Sequence, residues 1–278
     1  MITCATVKKQ VIRKHYDHTS FFYRLLWGQH IHHGLWEGEE SPRRAQLNLT
    51  RTVANAANIP QGARVLDVGC GLGGSSIYLA KQRECQVTGI TLSPVQRRWA
   101  GLSSRWHRVS HATEFRCQDA ESVEFAPDTF DVVWSIECTE HLFDKATFFR
   151  NAARWLRPGG KLAICAWLAN EVPTESQSRQ VYDVCEGFFC PSLGSRADYI
   201  GWIESAGLQM RFDFDWSDRV ARTWDICLRR ATATGMPWLA HCFDSDMVMF
   251  VQRFRTMIDA YRTGAMKYGC FIAECAAA

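Results

Sequence analysis

The sequence predicts an α/β fold, an open and mostly parallel sheet of seven strands with helices on both faces. Three observations point there. From residue 63 onward, short apolar runs alternate with helical patterns. The runs are hydrophobic almost throughout rather than at every second position, as in parallel strands buried on both faces. A glycine-rich turn joins the first run to the first helical pattern. The chain has 278 residues, 47% hydrophobic and 22% charged, which fits one elaborated domain and excludes a disordered, collagenous or coiled-coil protein.

Residues 1–60 read as a helical arm containing the unusual run Gly28-Gln29-His30-Ile31-His32-His33-Gly34-Leu35-Trp36. The main domain is expected over 61–278, with strands at 64–68, 86–90, 114–117, 131–136, 161–168, 208–216 and 270–275. Helices are expected at 74–82, 94–108 and 145–157. In the last of these Phe148, Phe149, Ala152, Trp155 and Leu156 share one apolar face. Pro158-Gly159-Gly160 is then expected to stop the helix and turn the chain into the next strand. Repeated β-α units imply right-handed crossovers. Residues 218–265 read as a helical insertion before the last strand, carrying Trp224, Trp238, Phe243, Met247, Met249, Phe250 and Met257. With the arm, this insertion is expected to form a lid over the ligand-binding edge; a helical core without ligand contact explains the same residues.

Charge and cysteine usage narrow the partners. Lys and Arg number 32 against 29 Asp and Glu, and no basic run exceeds two residues, so the basic stripe of a nucleic-acid binder is missing. Twelve cysteines are spread singly without a Cys-x-x-Cys. Cys70, Cys85, Cys117, Cys138 and Cys165 lie in or beside apolar runs, as reduced cysteines do. The longest apolar stretch, 162–169, is far short of a membrane span. Lys8, Lys9, Arg13 and Lys14 lead into no apolar signal-peptide region. These features predict a cytoplasmic protein that binds no nucleic acid and has no integral membrane segment, and they leave the oligomeric state open.

The strongest local signal is Val65-Leu66-Asp67-Val68-Gly69-Cys70-Gly71-Leu72-Gly73-Gly74, a strand, a turn and the start of a helix. Glycines there let a ligand approach the N–H groups at the helix start. Gly69, Gly71 and Gly74 also satisfy the dinucleotide-binding pattern. An NAD site, however, wants an acid about 20 residues on, closing the second strand. That strand ends Gly89-Ile90-Thr91-Leu92-Ser93 with no carboxylate. Asp67, just before the glycines, suits a ligand with an ammonium group, such as the methionine end of S-adenosylmethionine. Asp119, with Ala120 beside it at the end of the third strand, is placed to accept from an adenine amino group, or else to cap a turn. Glu137, Glu140 and His141 follow Ile136 at the carboxyl end of the fourth strand, the edge where such sheets bind ligands. Glu140 and His141 are candidates for acid–base work or for a salt-linked pair bracing the strand. The His30-x-His32-His33 cluster has no partner ligands at metal-binding spacing, so no metal is expected.

The Asp67–Gly73 loop, Asp119 and Pro158-Gly159-Gly160 resemble those of the Rossmann-like class I S-adenosylmethionine-dependent methyltransferases. Within that class, four segments resemble the tocopherol methyltransferases, with kinship to cyclopropane-fatty-acid synthases. They are Val87-Thr88-Gly89-Ile90-Thr91-Leu92-Ser93-Pro94-Val95-Gln96, His32-His33-Gly34, Ser135-Ile136-Glu137-Cys138-Thr139-Glu140-His141, and Ala260-Tyr261-Arg262-Thr263-Gly264-Ala265-Met266-Lys267-Tyr268-Gly269. The likeness covers nearly the whole chain, from about Tyr16 on. Plant members carry a plastid-targeting extension, for which this chain has no room. The resemblance implies cofactor contacts at Tyr16, His32, His33, Asp67, Gly69, Cys70, Gly71, Gly73, Thr91, Leu92, Gln96, Asp119, Ala120, Ile136 and Glu137, with His141, Glu140 and His33 as catalytic candidates. Ser93-Pro94-Val95-Gln96 reads equally as a capping box, and Tyr16 as a helix anchor. The implied reaction is methylation of a small aromatic or lipophilic acceptor, a phenol or quinol ring carbon first and an amine or indole nitrogen second. An NAD-dependent oxidoreductase and a non-catalytic adenosyl-binding module are the rivals from other classes.

Overall fold

The structure, a computed structural model, describes residues 1–242 and 244–276; Phe243, singled out above, lies outside them. The elements run β1 (Ile2–Thr3), α1 (Lys9–Leu26), α2 (Pro42–Ala56), β2 (Arg64–Val68), α3 (Gly74–Gln82), β3 (Gln86–Thr91), α4 (Pro94–Trp106), β4 (Thr113–Cys117) and β5 (Phe130–Ile136). After a 3-10 turn at Thr139–His141 come α5 (Lys145–Trp155), β6 (Leu156–Ala169), α6 (Glu175–Gly187), β7 (Ser192–Leu193), α7 (Arg196–Ser205) and β8 (Leu208–Asp215). The chain closes with α8 (Ser217–Val220), α9 (Arg222–Ala233), α10 (Met236–Leu239), α11 (Ser245–Arg262) and β9 (Met266–Cys275).

Seven strands form the sheet in the order β4-β3-β2-β5-β6-β9-β8. Only β9 runs against its neighbours, pairing antiparallel with β6 and β8. Successive residues of the inner strands feed two cores. Val65, Val132, Trp134 and Cys165 pack on one face with Leu49, Val53 and Ile77 from α2 and α3. Leu66, Val133 and Ile164 pack on the other with Phe148, Phe149 and Trp155 from α5 and Tyr199 from α7. A third cluster, built from α1, α6, α9 and α11, holds Val181, Phe188, Phe250 and Met257. The chain starts β2, β3 and β4 to one side, then crosses to start β5 beside β2, so the strand order reverses there. The carboxyl ends of β2 and β5 flank that switch point, where open α/β sheets bind ligands.

Two expectations need correction. Helix α5 stops at Trp155, and the chain is already extended at Leu156, which pairs with Phe130. The pairing resumes at Val132 with Lys161, so Pro158-Gly159-Gly160 lies inside the strand as a bulge, with Gly159 at φ +74°. The arm is not wholly helical either. Ile2 and Thr3 pair antiparallel with Leu193 and Ser192, tying the start of the chain to the segment after α6. Between β8 and β9 the chain forms the helices α8 to α11.

Candidate active site

Gly69, Gly71 and Gly73 adopt φ of +76°, +53° and +80°, in the left-handed region that glycine reaches without strain. A Cβ on Gly74 would stand 2.8 Å from His30 Nδ1 and 2.9 Å from the Gln29 carbonyl, so the bare loop lets residues 29 and 30 lie against it. Between them opens a pocket of about 310 Å³ whose wall includes Gln29, His32, Asp67, Gly69, Gly71 and Ile136. Cys70 also lines it. The Ser76 hydroxyl donates to Asp67 Oδ2 at 2.5 Å, while burial pushes the Asp67 carboxyl up to about 7. A cation in this pocket would keep that carboxyl ionised. Gln29 Nε2 is buried without an acceptor, and an unmet buried donor costs about 1–3 kcal/mol. Asp67 and Gln29 therefore suit a ligand that carries both an ammonium and a carboxylate. Sequence reasoning missed Gln29, whose one signal is its place beside the histidine cluster.

The remaining expected cofactor contacts lie outside this pocket. At the end of β3, Thr91 Oγ1 donates to Gln96 Oε1 at 2.7 Å, and the Ser93 N–H donates to Thr91 Oγ1 at 3.3 Å. Ser93 Oγ accepts from the Gln96 N–H at 3.1 Å, capping α4, but the Gln96 side chain does not return to Ser93, so only half a capping box forms. Ser93 Oγ in turn donates to Asp17 of α1 at 2.5 Å. Asp119 accepts from Lys9 Nζ at 2.6 Å and from the Glu121 N–H at 3.0 Å, so it caps a turn and anchors α1. Leu92 packs partly buried against the α1–α11 cluster, and Ala120 is buried in the cluster that holds Leu66, Ile90 and Phe148. Gly73 faces Ala100 and Phe115.

Across a wall formed by Ile31 and His32, which line both spaces, lies a second cavity of about 1040 Å³, partly open to solvent. Its sides are aromatic, including Phe22, Trp167, Phe188, Trp224, Phe250 and Phe254. Of the insertion residues named from sequence, Trp224, Met247 and Phe250 line it, Met249 and Met257 pack in the lid core, and Trp238 stands in solvent.

Ionisable groups gather in the wall near β5. Glu137, at φ +54°, accepts from the His33 N–H (2.8 Å), Trp167 Nε1 (2.9 Å) and the Tyr268 hydroxyl (2.8 Å). Burial opposes its charge, but His33, through Nδ1 at 3.0 Å and its N–H, together with the His32 ring nearby, holds the carboxyl down at about 2. Glu140 has the opposite setting. One oxygen accepts from the Trp167 N–H at 2.6 Å and the other has no partner. Burial, reinforced by the Glu137 charge, pushes it up to about 8. His141 Nδ1 lies 3.1 Å from the Phe189 carbonyl, which fixes the tautomer, and Nε2 accepts from the Tyr16 hydroxyl at 2.8 Å. Burial holds this imidazole down to about 4. His33, an expected base, has both nitrogens engaged, Nδ1 on Glu137 and Nε2 accepting from Trp224 Nε1 at 2.6 Å. It braces the lid against β5 and has no lone pair left for a reacting proton. His32 is likewise held by His33 O, Thr50 and His30. Among the described residues, no group of three or more His, Cys, Asp or Glu is placed to hold a metal ion.

Residues 66–164 match the methyltransferase-domain family. The chloroplastic tocopherol O-methyltransferase of Arabidopsis thaliana is 30% identical over 295 residues, spanning 96% of this chain and 84% of the relative. This chain is a class I S-adenosylmethionine-dependent methyltransferase. At the level of fold, the methyltransferase is similar to the [4+2]-cyclase SpnF, with a TM-score of 0.88 at 23% identity over 100% of this chain and 99% of that one. It is similar also to the cyclopropane synthase MmaA2 from Mycobacterium tuberculosis, with a TM-score of 0.84 at 18% identity over 96% and 99% of the two chains. A fold that carries a cyclase does not fix chemistry; the family assignment rests on the sequence relative. Among the described residues no helix of the methyltransferase is long and apolar enough to cross a membrane.

S-adenosylmethionine supplies the methyltransferase with a sulfonium methyl. The protein's own part is to hold an acceptor about 3 Å from that methyl, keep water away and take a proton where the acceptor must lose one. Two neighbouring carboxyls whose surroundings drive them apart are a recognised pattern for such work. Here His33 and the surrounding donors hold Glu137 charged, while burial raises the neighbouring Glu140 carboxyl to about 8.

Proposed function

We propose that the methyltransferase acts on a lipophilic phenol or hydroquinone and that Glu140 removes the acceptor's proton. The observation that carries this reading is the buried Glu140 carboxyl, one oxygen of it unpartnered, in the wall of an aromatic cavity that shares the Ile31–His32 wall with the glycine-loop pocket. Asp67 and Gln29 receive the methionine end of the cofactor at that pocket. Thr91, Gln96 and Asp119 meet the adenosyl end once α1 yields its hold on Asp119 and Ser93. Tyr16, whose proton is held by His141, offers its oxygen as an acceptor to the substrate hydroxyl from the cavity wall. Overall the methyl leaves sulfur, one acceptor proton is lost, and the new bond forms at oxygen or at a ring carbon of the phenolate. The similarity to a tocopherol O-methyltransferase supports a phenolic acceptor. The test is mass spectrometry after incubation with S-adenosylmethionine and a panel of tocopherols, quinols, catechols, indoles and amines. A methylated phenol is expected, and its fragmentation assigns the atom. Methylation of amines alone would overturn the phenol reading.

A further inference from the structure

The acceptor cavity contains a cation that its aromatic walls do not require. Arg230, near the end of α9, lines the cavity with Leu26, Ala231 and Met236. Its Nη1 donates to the Leu26 carbonyl at 2.6 Å, and among the described residues no carboxylate lies within ion-pair distance of the guanidinium. Nearby arginines are treated differently. Arg222 is paired with Glu39, Arg262 with Asp225, and Arg253 with Glu186. Arg229, its neighbour in sequence, is exposed, whereas Arg230 is half-buried against the cavity. A guanidinium is always charged and has five N–H donors in a planar fork, a shape that matches a carboxylate with two parallel bonds. Position adds a direction. Trp224, bonded to His33 beside Glu137, precedes Arg230 by six residues on α9, a rise of about 9 Å. The cavity thus has an acidic end at Glu137 and Glu140 and a basic end at Arg230.

We infer that the acceptor carries a carboxylate, received by Arg230, at the end remote from the hydroxyl that Glu140 deprotonates. The acidic end repels that carboxylate, so the acceptor enters in one orientation. This inference rests on the phenol reading above for the reacting end only. The test uses ω-(4-hydroxyphenyl)alkanoic acids of graded length and their methyl esters, with binding followed by calorimetry in the presence of S-adenosylhomocysteine and turnover by mass spectrometry. At the best chain length the acid is expected to bind about tenfold more tightly than its ester. Arg230→Gln should remove that difference while leaving ester binding unchanged, and Arg230→Lys should keep part of it. Esters binding as well as acids, or Arg230→Gln weakening both equally, would overturn the inference. A phosphate-ended analogue that outcompetes every acid would overturn the choice of carboxylate. Acids that bind through Arg230 yet gain no methyl would support the anion site and sink the phenol reading.

Discussion

Glu137 and Glu140 are three residues apart and both buried, yet one is held at about 2 and the other rises to about 8. Partner count separates them: Glu137 meets three donors and an imidazole, and Glu140 has one oxygen bare. Below about pH 8 the Glu140 carboxyl holds its proton, so kcat should climb as the pH rises through 8. Glu140→Gln should lower kcat by ~10²–10⁴-fold and flatten that rise with cofactor affinity unchanged; a retained rise would assign the base elsewhere. Stability moves the other way. A folded-state value raised from 4.5 gives stability that is complete below 4.5 and is lost as the pH climbs to about 8. The melting temperature of Glu140→Gln should therefore gain on the parent between pH 5 and 8. Glu137→Ala strands the buried donors and should cost about 3–5 kcal/mol in urea unfolding. Both acids were legible in the sequence from their place after a strand. Their opposite electrostatics were not, because Trp167, Tyr268 and His33 come from distant parts of the chain.

At the scale of elements, α1 is tied to the sheet edge mainly by polar contacts. It buries only Ile12, Thr19 and Ser20 and reaches the sheet edge through polar contacts, Lys9 to Asp119, Asp17 to Ser93 and Tyr16 to His141. Segments held by few buried contacts open first. Amide hydrogens of α1 should exchange faster than those of β2 and β5, and S-adenosylhomocysteine should slow α1 most. Unchanged α1 exchange on binding would remove it from the cofactor site. The sequence marked this arm as helical and the family resemblance singled out Tyr16, but neither could say what the half-buried Lys9 and Asp17 meet, since those partners lie 110 and 76 positions away. The bulge in β6 was misread for a related reason. Pro-Gly-Gly signals a break in regular structure, and only pairing with Phe130 shows that the strand has already begun.

Over the whole molecule the strand–helix alternation held because it is local. Each buried strand needs its apolar run and each helix its apolar stripe, and both are written in consecutive residues. All twelve cysteines are free thiols, eight of them buried. Reductant should therefore leave the melting temperature unchanged, and a fall of several degrees would reveal a bridge absent from this fold. From the chain alone came the α/β class, the glycine loop, Asp67, the acids after β5 and the helical insertion. Tertiary structure decided which of these converge. It placed Asp119 and Gln96 outside the Asp67 pocket, engaged both His33 nitrogens with Glu137 and Trp224, and set Gln29 and Arg230 on the pocket walls. The physical reason is that a side chain's chemical role depends on which donors, acceptors and charges surround it. Those neighbours are set by packing between segments that no local pattern relates.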